Sequence, residues 1–418
     1  MRVLLLPAFA AATLLTGCVL APSHTPASPG LIAQDPPAST TPPAAAAPPE
    51  KPAEKPAAPV RTPAQSYAAG VQWLISNQQA DGSWGTFESA RAYEVFLDNL
   101  SSHRAFRGAT TALCVMALIE PSRTDEKAKA ALDNGVTYLL TAEQPGRASG
   151  ETFYNTWAHT FTLEALAMLL RDDRFAERHE AMRRIAQREI NTLGSLQSAA
   201  GGWGYYDFGR SLTSPTGDYD TSFNTASVII AFLKARDAGL EVKQPMIDAA
   251  TTCLERLRLP SGAFIYGFGH QYMHAAQFNQ VKGSLGRSQP CNLALWRLKR
   301  EITPEQLLAG VKNLRELHHF IEIGRGRPMP HEAWYQTAGY YYFYGHFYAA
   351  QVIAELEEPH RADHATWLAN VMTATQDAEG SWFDFPLYGY HKSYGTALAM
   401  MTLERCLGLG VGDPPRTD

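Results

Sequence analysis

From residue 64 onward, hydrophobic positions recur at helical rather than strand spacing. In 64–77, Tyr67, Val71, Leu74 and Ile75 fall on one face while Gln72, Ser76 and Asn77 fall on the other, which predicts an amphipathic helix with one buried side. A second kind of segment follows. The stretches 108–119, 161–170, 225–233, 340–356 and 395–403 carry little charge and are apolar or small nearly all round. A helix without a polar face has to be buried on every side. A sixth stretch, 289–300, is more polar through Arg297, Lys299 and Arg300. Half-buried and fully buried helices therefore alternate, and neither kind can bury its faces alone.

A repeat sets the period of this alternation. Gln78-Gln79-Ala80-Asp81-Gly82-Ser83-Trp84 recurs as Gln197-Ser198-Ala199-Ala200-Gly201-Gly202-Trp203 and as Gln376-Asp377-Ala378-Glu379-Gly380-Ser381-Trp382. All three read Q-x-x-x-G-x-W, and the tryptophans stand 119 and 179 residues apart, two and three multiples of about 60. Further copies are expected near 144, 263 and 322. Glu143-Gln144-Pro145-Gly146 and Leu259-Pro260-Ser261-Gly262-Ala263-Phe264 fit the first two, and Ile321-Glu322-Ile323-Gly324 is the remnant of the third. Six units of outer helix, turn and inner helix predict an all-α fold, an (α/α)6 toroid of two concentric rings over 64–408 with a flexible tail at 409–418.

The first repeat carries a family resemblance. Gly70-x-x-Trp73-Leu74-x-x-x-Gln78-x-x-x-Gly82-x-Trp84 resembles the QW motif of squalene and oxidosqualene cyclases, with Ala69 where that motif begins on a basic residue. The turns at Trp203 and Trp382 keep the second half of the motif. The segments 340–350 and 394–399 are similar to inner helices of the same terpene cyclase and protein prenyltransferase superfamily. The resemblance spans about 64–407 and implies architecture more than chemistry. In it glycine permits a positive φ, tryptophan packs across neighbouring units, and glutamine is expected to satisfy free helix-end groups.

The N-terminus has another character. Arg2, an apolar stretch over 3–15, and Leu15-Thr16-Gly17-Cys18 have the form of a signal peptide ending at 17. The last four residues resemble a bacterial lipobox, which implies a lipid on Cys18 and membrane attachment outside the cytoplasm. By resemblance to Gram-negative lipoproteins, Val19 rather than an aspartate implies the outer membrane facing the periplasm. Residues 18–63 read as a tether: 21–63 holds 13 of the 27 prolines and no aromatic residue. Such a segment cannot bury a core, and its extended contour is on the order of 130 Å.

Charge and cysteines narrow the remaining choices. A net charge of −5 without a basic run argues against a nucleic-acid partner. No second apolar stretch reaches membrane-spanning length. Cys114, Cys253, Cys291 and Cys406 are widely separated singletons. They read as buried thiols, although an oxidising compartment permits Cys114–Cys406 or Cys253–Cys291 bridges.

Any site in such a ring is expected in the central cavity, near inner-helix ends. Gly217-Asp218-Tyr219-Asp220-Thr221-Ser222 enters the third inner helix after a repeat turn. It resembles the D-x-D-D-T-A motif of class II terpene cyclases, whose middle aspartate protonates an alkene, but one aspartate is missing. Either Asp220 is the acid or Tyr219 occupies its place; alternatively Asp220 or Thr221 caps the helix. Resemblance to prenyltransferase β-subunits implies zinc on Asp220, Cys291 and His346 or His391, without that family's D-x-C spacing. Thioester toroids are excluded because Gly-Cys-Gly-Glu-Gln does not occur. His159, Tyr341, Tyr344, His346, His391 and Tyr394 could face the cavity with Asp220, an arrangement suited to sugar stacking and acid/base work. The expected role is a ligand-binding or scaffolding toroid without a cofactor, engaging an envelope protein, polysaccharide or lipid. The alternatives are a carbohydrate-active (α/α)6 enzyme, or an isoprenoid or lipid enzyme using Asp220.

Overall fold

A computed structural model describes residues 60–89, 100–143, 145, 155–205, 219–300 and 302–409. The signal peptide, Cys18, most of the tether, Asp218 and the tail beyond 409 lie outside the described residues. Described secondary structure is helical apart from three isolated bridges.

Six amphipathic helices form an outer ring: α1 (Pro63–Ser76), α3 (Glu126–Thr141), α5 (His179–Leu196), α7 (Gln244–Arg256), α9 (Pro304–Glu316) and α12 (His360–Ala374). Six more form an inner ring: α2 (Leu100–Leu118), α4 (Asn155–Leu169), α6 (Ser222–Asp237), α8 (Val281–Arg297), α11 (Tyr342–Ala354) and α13 (His391–Cys406). A single-turn helix, α10 (His319–Glu322), lies between α9 and α11. Each inner helix packs on the next, and α13 packs back on α2, which closes the ring. The burial pattern follows the side-chain pattern. Helix α5 buries Met182, Ile185, Ala186, Glu189, Ile190 and Leu193 at three- and four-residue spacing, whereas α6 is buried without interruption from Ser222 to Phe232. Thr62 and Gln65 form a capping box at the start of α1, with Pro63 in the first turn.

The fourth inner helix departs from expectation. It begins at Val281 rather than 289 and contains Pro290. Its buried residues include Ser284, Arg287, Ser288, Gln289 and Asn292, a polar content that hid a fully enclosed helix.

Four turns share one hydrogen-bond pattern. Gln79 N–H donates to the Ser83 carbonyl and Gly82 N–H to that of Gln79; the same pairs recur at Ser198/Gly202 with Gly201, Leu259/Ala263 with Gly262, and Asp377/Ser381 with Gly380. The four glycines have φ of +85°, +95°, +81° and +100°, a conformation that favours glycine. The turn near 263 is therefore a fourth copy. Near 322 the chain forms α10 instead of a glycine turn, and the centre of the copy near 144 lies outside the described residues.

Each full turn locks into the next unit. Trp84, Trp203 and Trp382 are wholly buried and donate Nε1–H at 2.8 Å to the carbonyls of Leu74, Leu193 and Met372. Their backbone N–H groups donate at 3.0–3.1 Å to Thr111, Thr225 and Thr396 on the following inner helix. Gln78 donates Nε2–H to the carbonyls of Gly82 and of Ala131 on the next outer helix. Gln197 does the same with Gly201 and Met246, and Gln376 with Gly380 and Ser66. The glutamines thus join neighbouring units rather than cap their own helix ends. Gly70 and Gly135 give room for the rings: a Cβ there would stand 2.8 Å from Trp382 and Trp84. The last turn therefore docks on the first helix, and Tyr67 near the start of α1 donates to Glu404 near the end of α13 at 3.3 Å.

Candidate functional site

Five of the six inner helices, four of them through their N-terminal halves, and the connections leading into them bound a cavity of ≈ 320 Å³. Trp157 and Phe161 of α4, Phe223 of α6, Tyr344 of α11, and Tyr394 and Leu398 of α13 form its walls, with Phe106, Ala109 and Leu113 from α2. Tyr205, Pro330, His331, Tyr340, Tyr341, Phe385 and Leu387 complete it from the connections. Fully buried inner helices supply aromatic side chains, and a ring of six leaves space on its axis, so an aromatic chamber follows from the fold. Its described lining includes no carboxylate.

Several polar atoms on this wall are already engaged. Tyr344 donates to the Phe223 carbonyl at 2.9 Å and lies 2.7 Å from Ser227 Oγ. His331, with φ +62°, places Nδ1 2.7 Å from the Gln336 carbonyl and Nε2 3.1 Å from the Tyr340 hydroxyl. Burial holds His331 below the usual imidazole value; its bond to Gln336 opposes this and the nearby Arg287 guanidinium adds to it. Non-glycine residues at Tyr335 and Gln336 also have positive φ, which concentrates backbone strain beside the cavity.

The expected site residues separate. Tyr341, Tyr344 and Tyr394 line the cavity, whereas Asp220, His159, His346, His391 and Cys291 do not. Asp220 is buried with Oδ2 accepting from Gly202 N–H at 3.0 Å and from the Ser198 hydroxyl, so it fastens a repeat turn to the start of α6. Thr221 is the N-cap residue, yet its side chain makes no capping bond. His159 turns outward, with Nδ1 2.5 Å from Glu189 on α5. His346 also turns outward, 3.0 Å from His318 and 2.6 Å from the Tyr342 carbonyl. Burial, then His318, push His346 down to about 3. His391 approaches the Tyr388 carbonyl at 2.5 Å. Cys291 is buried, and burial raises its thiol. The zinc candidates are not brought together: among the described residues no three His, Cys, Asp or Glu side chains converge on a metal position. Cys114, Cys253, Cys291 and Cys406 are all unpaired.

Two residues not singled out above matter more. Asp384, just after Trp382, is wholly buried and accepts from Phe343 N–H at 3.0 Å and from the cavity-lining Tyr394 hydroxyl at 2.8 Å. Burial pushes this carboxyl up to about 7, against the lowering effect of both bonds. Its placement two residues beyond a repeat tryptophan was the available signal. Arg287 is the other, enclosed on α8 with two hydrogen bonds to backbone carbonyls. The polar spacing of α8 concealed it.

The fold and cavity can be set beside known proteins. The sequence is 31% identical to a squalene–hopene cyclase of Zymomonas mobilis over 153 residues, 34% of this chain and 21% of that protein. It is 27% identical to a squalene–hopene cyclase of Bradyrhizobium diazoefficiens over 187 residues, 43% of this chain and 26% of that protein. The chain is a terpene cyclase-like toroid. The match spans about a quarter of those enzymes' length. A cellobiose 2-epimerase from Spirochaeta thermophila shares the (α/α)6 fold of the toroid at a TM-score of 0.52 and 16% identity, over 82% of this chain and 96% of that one. No family model matches the chain. Among the described residues of the toroid, no helix is long and apolar enough to cross a membrane.

Proposed function

We propose that this protein binds an apolar, lipid- or isoprenoid-like ligand in its central cavity, at an envelope membrane to which a lipid on Cys18 tethers it. The cavity carries the first part of this reading. Its volume is ≈ 320 Å³ and its lining is aromatic and aliphatic, which rewards burial of hydrocarbon. A saccharide would leave many hydroxyls without partners on such walls. The lipobox-like Leu15-Thr16-Gly17-Cys18 supports the second part.

The test uses N-phenyl-1-naphthylamine, an uncharged apolar fluorophore, with the full chain carrying Cys18→Ser so that no lipid is added. Saturable fluorescence enhancement is expected, and Ala109→Trp, which fills the cavity from α2, should abolish it while circular dichroism stays helical. Undiminished binding in a folded Ala109→Trp protein would overturn the cavity as the ligand site. Palmitate labelling of the wild-type chain, lost in Cys18→Ser, tests the tether.

A second reading rests on Asp384. A carboxyl raised to about 7 keeps its proton in a substantial fraction of molecules near neutrality. Protonated on Oδ1, it would donate to Tyr394, whose phenol hydrogen would then turn to the Phe385 carbonyl at 3.3 Å or to a ligand in the cavity. This supports acid-assisted chemistry on an isoprenoid, with Asp384 in place of Asp220. Loss of turnover of a bound polyprene in both Asp384→Asn and Tyr394→Phe, with binding retained, is the outcome it requires.

A further inference from the structure

Helix α8 supplies none of the described cavity lining, and Arg287 occupies its second turn. The guanidinium lies 5.1 Å from the Tyr266 ring and 5.4 Å from the ring of Tyr341, a wall of the cavity. Its hydrogen bonds go to neutral groups, Nη1 to the Gly283 carbonyl at 2.9 Å and Nη2 to that of Phe278 at 2.5 Å. Nε has no acceptor among the described residues, and neither has a carboxylate there come within pairing distance. The side chain is 1% exposed. A guanidinium stays protonated in proteins, and a buried charge without a counter-charge is unfavourable. The Tyr341 hydroxyl is buried as well, with Tyr266 as its hydrogen-bonding neighbour. An unsatisfied cationic N–H and a phenol engaged only with another phenol therefore belong to one sector of the ring.

The geometry points to a carboxylate subsite: the cavity takes a hydrocarbon chain whose single carboxylate bridges Arg287 and the Tyr341 hydroxyl. This deepens the proposed apolar-ligand function and rests on it. A carboxylate offers two oxygens to two donors. The sector carries one positive charge, because burial and then Arg287 hold His270 below the ordinary imidazole value, and His331 is lowered as described. A diphosphate would bring more negative charge than this sector balances.

Competition separates the two proposals. The full chain carrying Cys18→Ser is loaded with N-phenyl-1-naphthylamine and titrated with decanoate or with 1-decanol, which share a chain length and differ in charge. Decanoate should displace the fluorophore at about tenfold lower concentration, the scale of one charge-assisted hydrogen bond. Arg287→Gln should bring the two curves together. Tyr341→Phe keeps the ring, removes the hydroxyl and should narrow the preference; it also serves if Arg287→Gln does not fold. Equal displacement by both compounds in the parent chain overturns the subsite and leaves the apolar cavity standing. A preference unchanged in both variants also overturns it, and failure to bind the fluorophore overturns both readings.

Discussion

Asp220 and Asp384 are both buried aspartates beside repeat turns, and their hydrogen bonds give them different work. Asp220 accepts from Gly202 and Ser198, two groups of the turn itself. Asp220→Ala should therefore weaken folding by about 1–3 kcal/mol, the penalty for stranding buried donors, with naphthylamine binding unaltered. Lost binding at unchanged urea stability would return Asp220 to the cavity. Asp384 has the opposite signature. Its folded value of about 7 exceeds the ordinary 3.8, so between those values the folded state holds a proton that the unfolded state has released. Its contribution to stability must then fall as pH rises from about 4 to 7. Asp384→Asn should remove that slope, measured as the difference between unfolding free energies at pH 4.5 and 7.5. An identical slope in the variant would place the titration elsewhere.

At the scale of the helical unit, the turn depends on a threonine as much as on its tryptophan. Thr225 accepts the buried Trp203 N–H, so Thr225→Val, nearly isosteric, should destabilise by about 1–3 kcal/mol in urea unfolding. A change within a few tenths would show that the hydroxyl is dispensable. The alternation of helices and the Q-x-x-x-G-x-W period were readable because burial and turn geometry constrain residue type at close spacing. The threonine was not readable, since its partner lies 22 residues away and nothing local distinguishes it. Arg287 and the early start of α8 were hidden for a related reason. Polar residues normally mark a solvated face, and here they are enclosed: Arg287 satisfies the Phe278 carbonyl of the adjoining loop, while Gln289 donates to Leu285 within α8 and to Gly310 on α9. Local sequence left Asp220 open between an acid and a helix cap, because its bonding partners come from the preceding turn.

For the whole molecule, closure depends on repeated contacts rather than a special joint. The Gln376 and Trp382 contacts on α1 reproduce those of Gln78 and Trp84 on α3. Chain order is thus almost irrelevant to the packing. Tyr67 and Glu404 bring the two described ends together, beside the C-terminal end of the inner ring, whereas the cavity lies mainly among its N-terminal halves. A circular permutant joining residue 409 to residue 60 through a short flexible linker, and opened in the connection 238–243, should fold and still bind naphthylamine. Failure to fold would mean that the seam needs free ends. Success would make either end, natural or relocated, a handle for immobilisation or fusion that leaves the chamber unobstructed.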